Sequence, residues 1–255
     1  MQLLTIIVSA LAAPIVRTLP ASVATIHVDV PRGDLTVRHD PSATHTRLTV
    51  TPMSWGASCG LQLSGDHEHA TARIVHDTGM AGLSCRSRVE LTIAGETDLN
   101  ARLNAGNINT SPTPGHQDLS VGTGRITGSL GTGWVRVDQG RVTLDGLRDE
   151  LDVAVNVGNV RLDYITAPTG PLYARADMGN VTVTLPADAA VTPAVRSAVG
   201  LREQHFTAVA DGVAVNVESQ IGNARLLAAQ RSSADSQSTC LLYTSDAADD
   251  LYRGG

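Results

Sequence analysis

The residues of this chain best suited to chemistry gather between positions 39 and 85. Asp66-His67-Glu68-His69 is followed by His76-Asp77, with His39 and His45 upstream. On a strand His67 and His69 would face one side, and imidazole suits zinc or copper. His67, His69 and His76 are therefore the candidate metal ligands. No third ligand stands at a recognisable zinc spacing, and a polar, solvated loop produces the same alternation, so the sequence assigns no metal. Cys59 and Cys85 flank this segment. In an exported chain they would close one disulfide, worth roughly 3 kcal/mol by loop entropy. In a reducing compartment they would be two buried thiols instead.

Catalytic arrangements are harder to find. Asp145, Asp149, Glu150, Asp152 and Asp163 offer the paired carboxylates that polysaccharide cleavage needs, but the wet face of any repeat protein carries such charges. The 19 basic residues are all Arg, so a lysine nucleophile or Schiff base is excluded. Gly122-Thr123-Gly124 and the glycines between 128 and 133 precede no helix, so they cannot form a phosphate loop. Arg32-Gly33-Asp34 spells an integrin-type tripeptide inside an expected turn, where chance explains it. No catalytic residue and no cofactor is assigned.

The elements that would position these residues follow a repeat. Gly106-Asn107-Ile108, Gly124-Arg125-Ile126, Gly140-Arg141-Val142, Gly158-Asn159-Val160, Gly179-Asn180-Val181 and Gly222-Asn223-Ala224 are copies of one phrase, with a degenerate copy at Gly200 and a half-phrase at Gly133-Trp134-Val135. Periods of this length belong to stacked units that cannot bury an apolar face alone. Alternating apolar residues on both sides of each glycine predict strands, and the glycine supplies a backbone conformation that a β-branched residue resists. Asn104, Asp138, Asn156, Asp177 and, more loosely, Gln220 stand two residues before a glycine, where an Asx side chain can accept a bond from the N–H two residues on. The expectation is an all-β fold with little or no helix. Residues 105–227 form a short β-solenoid of about seven coils, cornered at Gly106, Gly124, Gly140, Gly158, Gly179 and Gly222. Residues 24–104 form short antiparallel strands, with Pro31-Arg32-Gly33-Asp34 as a turn and 53–86 as a long loop. Aromatics are only 3% of the chain and Phe occurs once, which suits a thin aliphatic core.

The ends read differently. Residues 1–13 hold an apolar run closing in Ala10-Leu11-Ala12, the pattern of a secretory signal without its charged start. Residues 228–239 are a polar linker. Residues 240–255 read as the in-frame translation of a transposase-type sequencing adapter and are set aside. Without them 22 acids face 18 arginines. An acidic chain with no basic block argues against nucleic acid as a partner. No segment of the native part reaches the length of a membrane span.

Three features resemble a bacterial family known as putative adhesins, a domain of unknown function in secreted and membrane-attached proteins. They are Gly33-Asp34-Leu35-Thr36-Val37, Val89-Glu90-Leu91-Thr92-Ile93 leading to the first Gly-Asn-Ile turn, and Gly179-Asn180-Val181-Thr182-Val183-Thr184-Leu185-Pro186. The resemblance covers about residues 24–227 and implies a solenoid-like, all-β domain outside the cytoplasm, with no catalytic residues to carry over. The segment 53–86 departs from that pattern. The expected function is a non-enzymatic binding or adhesion-like module, secreted or on the cell envelope, whose partner is an envelope protein or polysaccharide. A sensory or regulatory partner of a membrane protein is the alternative, and a polysaccharide-active β-helix enzyme a more distant one.

Overall fold

The computed structural model describes residues 13–21, 23–55, 59–65, 69–76 and 85–229. Among these the chain is all strand, turn and bend, without helix. The N-terminal part contributes β1 (Ile15–Pro20), β2 (Thr25–His39), β3 (His45–Ser54), β4 (Cys59–Gly65), β5 (His69–His76) and β6 (Arg86–Ile93). Four long strands follow: β7 (Asp98–Thr110), β8 (Gln117–Gly128), β9 (Gly133–Leu147) and β10 (Leu151–Tyr164). The chain ends in pairs of shorter strands: β11 (Leu172–Met178) and β12 (Val181–Leu185), β13 (Val191–Val199) and β14 (Arg202–Gln204), β15 (Val213–Ile221) and β16 (Ala224–Ala228).

All sixteen strands join one mixed sheet. Its centre is parallel: β2, β7, β8, β9 and β10 lie side by side in register, so that like positions of successive repeats are neighbours. Each long strand has two arms separated by its glycine. Beyond β10 the arms become separate strands, with β11, β15 and β13 continuing the first arm and β12, β16 and β14 the second. At the other end β5 pairs with the first arm of β2 and β6 with the second. The antiparallel pairs β1–β3, β3–β6 and β4–β5 finish that end.

Alternation decides the core. Along β9, Gly133, Val135 and Val137 are buried while Trp134, Arg136 and Asp138 are exposed, and burial resumes at Val142 and Leu144 past the glycine. The same pattern on successive strands makes one buried cluster, mostly Val, Leu, Ile and Ala, that extends across the sheet. Each buried Val or Leu contributes about 1.5–3 kcal/mol relative to exposure. Three aromatic rings join this cluster: Tyr164 at the end of β10 and Phe206 after β14 are buried, and Trp55 packs on it near β6, donating from Nε1 to Ser87 Oγ at 2.9 Å.

Three expectations are corrected. Pro31–Asp34 is not a hairpin turn. Residues 25–39 form one strand through Gly33, because in-register parallel pairing with β7 buries Ile26, Val28, Val30, Leu35 and Val37 together. Secondly, the segment read as a loop, 53–86, contains the hairpin β4–β5, whose Leu61, Ala70, Ala72 and Ile74 are buried. Thirdly, the last two repeats stack out of chain order: β15 lies against β11, and β13 lies outside β15. Pro193 in β13 has no N–H to give to a second neighbour, so an edge suits that strand. The segments 1–12 and 230–255, with the signal reading, most of the polar linker and the adapter-like tail, lie outside the described residues.

Candidate functional site

The glycines named as corners sit on a single line across the sheet. Gly106 pairs with Gly33 and Gly124, Gly124 with Gly140, and Gly140 with Gly158. Gly179, Gly222 and Gly200 extend the line, each with φ between 140 and 144°. Gly140 shows the reason for the residue type. Its φ is 150°, which L side chains avoid, and a Cβ there would overlap the carbonyl oxygen of Gly124 on the next strand.

The polar bracing differs from the expected Asx turns. Asn156 Nδ2 donates to Asp138 Oδ1 at 3.0 Å, a bond between strands rather than along one. The residues after the glycines do more. Asn159 Oδ1 accepts from the backbone N of Asn180 at 3.0 Å, Asn180 Oδ1 from the N of Asn223 at 2.9 Å, and Asn223 Oδ1 from the N of Leu201 at 2.9 Å. These asparagines form a ladder across neighbouring strands beside the glycine line, each amide oxygen satisfying a backbone donor of the next strand.

Cys59 and Cys85 form a disulfide, with both residues buried and their Cα atoms 5.7 Å apart. It ties the start of β4 to the residue before β6, and so clamps the hairpin to the first coil. His67 lies outside the described residues, and His69 and His76 occupy opposite ends of β5. Among the described residues no group of three or more His, Cys, Asp or Glu is placed to hold a metal ion. His45 meets its neighbour Thr44 at 2.8 Å, and His39 ends β2.

The carboxylates considered for hydrolysis are also dispersed. Asp163 pairs with Arg161 at 2.8 Å on the second arm, and Asp149 accepts from Thr169 Oγ1 at 3.1 Å in a connection. Tyr164 donates to the Asp149 carbonyl at 3.1 Å, and burial pushes its hydroxyl well above the ordinary value of 10.0, with the Asp149 charge adding to the effect. Asp152 stands on the outer face of the first arm. The Arg32-Gly33-Asp34 tripeptide is built into the corner line: Gly33 is buried, and Asp34 accepts from Asn107 Nδ2 at 2.8 Å and contacts Arg86 at 3.4 Å.

The outer face of the first arm is the surface with the densest chemistry. A groove of about 630 Å³ opens there across β9, β10, β11 and β15. Two rows of side chains cross this face perpendicular to the strands; Asp152, Tyr173 and Asn216 of the first and Arg136, Ala154, Arg175 and Glu218 of the second line the groove. One row reads Asn100, Asp118, Trp134, Asp152, Tyr173, Asn216, one residue per strand in register. Trp134 and Tyr173 are 50% and 49% exposed, although aromatics are scarce in this chain. Trp134 is held in place: the His116 ring meets it edge-on at 6.0 Å, and the Arg136 guanidinium lies over it at 5.8 Å. The second row reads Arg102, Ser120, Arg136, Ala154, Arg175, Glu218, Arg196.

Motif reasoning passed over these rows, yet a signal was present. Arg102, Arg136, Arg175 and Arg196 each stand four residues before a corner glycine, and Trp134 and Tyr173 each stand six before one. Counting back from the glycines would have aligned them.

No family model matches the chain, and no curated protein matches it. Solved structures similar to it include a putative adhesin from Bacteroides fragilis, at TM-score 0.42 and 11% identity, covering 85% of this chain and 97% of the other. A putative cell adhesion protein from Clostridium sporogenes matches at TM-score 0.37 and 11% identity, covering 85% and 99%. A putative lipid binding protein from Parabacteroides distasonis matches at TM-score 0.25 and 10% identity, covering 84% and 94%. Likenesses this distant do not reach to function.

Proposed function

We propose that this protein is a non-enzymatic, extracytoplasmic binding module that presents the outer face of a short β-solenoid to a component of the cell envelope. The coiled path is supported by chain length. β9 is 15 residues long and would span about 50 Å if straight. Only three residues, 148–150, join it to the start of β10, which pairs with it in parallel register. Three residues cannot carry the chain back along a straight strand, so β9 must turn at Gly140 and return close to its origin. The disulfide supports an oxidising compartment.

The observation that carries the binding reading is the pair of half-exposed rings, Trp134 and Tyr173, held in one in-register row, with Tyr173 lining the groove. A soluble surface gains nothing in stability from exposing its few large rings, whereas recognition surfaces are enriched in them. Incubating the labelled chain with cell-envelope preparations tests the reading. Saturable adsorption that Trp134→Ala with Tyr173→Ala weakens is the expected result. Adsorption that never saturates, or that ignores the double substitution, refutes it.

A further inference from the structure

We infer that the groove face binds an acidic polysaccharide carrying one negative group per disaccharide, laid across the strands along the stacking direction. The inference rests on the binding-module reading and names the ligand class for that face.

In the second row arginine occupies every other strand: Arg102 on β7, Arg136 on β9, Arg175 on β11 and Arg196 on β13. Neighbouring strands are about 4.8 Å apart, so the guanidiniums recur about every 9.6 Å. That is close to the advance of one disaccharide in an extended pyranose chain. Between the first three stand Ser120 and Ala154, which are small and uncharged, while acids flank the arginines, Asp118 and Asp152 in the first row and Asp138 in the groove lining. Glu218 interrupts the arginine row on β15. Among the described residues Arg102 and Arg136 make no ion pair, and Arg175 contacts Asp177 at 3.4 Å. A guanidinium fork suits the planar, two-oxygen geometry of a uronate carboxylate.

The first row supplies the remainder of the recognition. β9 and β11 each present an aromatic residue two positions before the arginine, Trp134-Val135-Arg136 and Tyr173-Ala174-Arg175. A flat ring beside a guanidinium can stack on a sugar while the charge takes its acidic substituent. On β10, between the two, Asp152 and Ala154 offer a hydroxyl acceptor and open space, which fits a neutral sugar alternating with an acidic one. Nucleic acid fits poorly. Its phosphates recur about every 3.4 Å along a strand, and arginines about 9.6 Å apart would leave most of them unpaired.

The test is a titration of the full chain, followed by tryptophan fluorescence, with hyaluronan and heparosan decasaccharides. Both carry one carboxylate per disaccharide; dextran and poly(dT) are the comparisons. Binding of the acidic sugars is expected, with Trp134 emission changing and affinity falling as salt rises. The triple variant Arg102→Gln, Arg136→Gln, Arg175→Gln should lose at least tenfold in affinity while its circular dichroism and unfolding midpoint stay put, because these side chains are exposed. Equal binding of dextran, preference for poly(dT), or a triple variant within twofold of the parent overturns the inference. So does failure of both acidic sugars. If they fail while saturable adsorption to envelopes persists, this inference falls and the module reading stands. If adsorption fails as well, both fall.

Discussion

Replacing Gly140 by alanine should be among the most damaging single-methyl changes available in this molecule. Two costs act at once. The residue holds φ at 150°, a region where a non-glycine residue costs about 1–3 kcal/mol. The new Cβ would overlap the backbone oxygen of Gly124, and backbone cannot swing aside as a side-chain end can. Forcing an extra methyl into such packing costs about another 1–3 kcal/mol. The sum centres on about 4 kcal/mol, a large share of the roughly 5–15 kcal/mol that holds a domain together. Gly146 supplies the control: its φ is 62°, and the nearest atom to an added Cβ is Ser129 Oγ at 3.5 Å. Alanine there pays only the left-handed penalty, about 1–2 kcal/mol. Urea unfolding followed by circular dichroism measures both. The midpoint should fall two- to fourfold further for Gly140→Ala than for Gly146→Ala. Equal shifts would mean that the glycine line does not set the closeness of the coils, and the corner argument would fail.

Other outcomes follow from single contacts. The double variant Cys59→Ala, Cys85→Ala frees a 26-residue separation and should cost roughly 3.5 kcal/mol, with hydrogen exchange rising first in β4 and β5; unchanged exchange there would refute the clamp. Asn180→Ala removes the acceptor of the Asn223 N–H, an exposed bond, and should cost about 0.5–1.5 kcal/mol, whereas the same change at Asn100, whose amide only donates to Asp118, should cost less; equal costs would show that the ladder contributes nothing. The Tyr164 hydroxyl titrates higher folded than unfolded, so its contribution is full below the unfolded value near 10 and is lost as pH climbs toward the raised folded one. Stability should therefore be flat in this respect through neutral pH and decline above about 10, and Tyr164→Phe should flatten that decline. A decline of the same slope in the variant would place its origin elsewhere.

Much of the fold was legible because two local rules repeat. Apolar alternation told which residues face inward, and a glycine that no other residue could replace told where each strand turns. Gly33 escaped the count because it sits in Pro31-Arg32-Gly33-Asp34, whose composition looks like a hairpin, and only pairing partners tell a hairpin from a bent strand. Of the hairpin at 59–76, the alternation at Ala72-Arg73-Ile74-Val75 was legible as a strand, whereas β4 escaped because its polar, glycine-bearing surroundings mask the short alternation that buries Leu61.

The sequence by itself determined an all-β chain with an aliphatic interior, spaced glycines in a backbone conformation that side chains avoid, and two cysteines near enough in the chain to pair. Those are local matters, set by periodicity and by which backbone conformations a residue permits. Only the tertiary structure decided that β15 lies between β11 and β13, that Asn159, Asn180 and Asn223 brace one another, and that Trp134, Tyr173 and alternate arginines share a face. Each of these depends on which strands become neighbours and in what register. Neighbouring strands here are 16 to 73 residues apart in the chain across the glycine line, and burial of the shared core, rather than any local preference, selects their pairing.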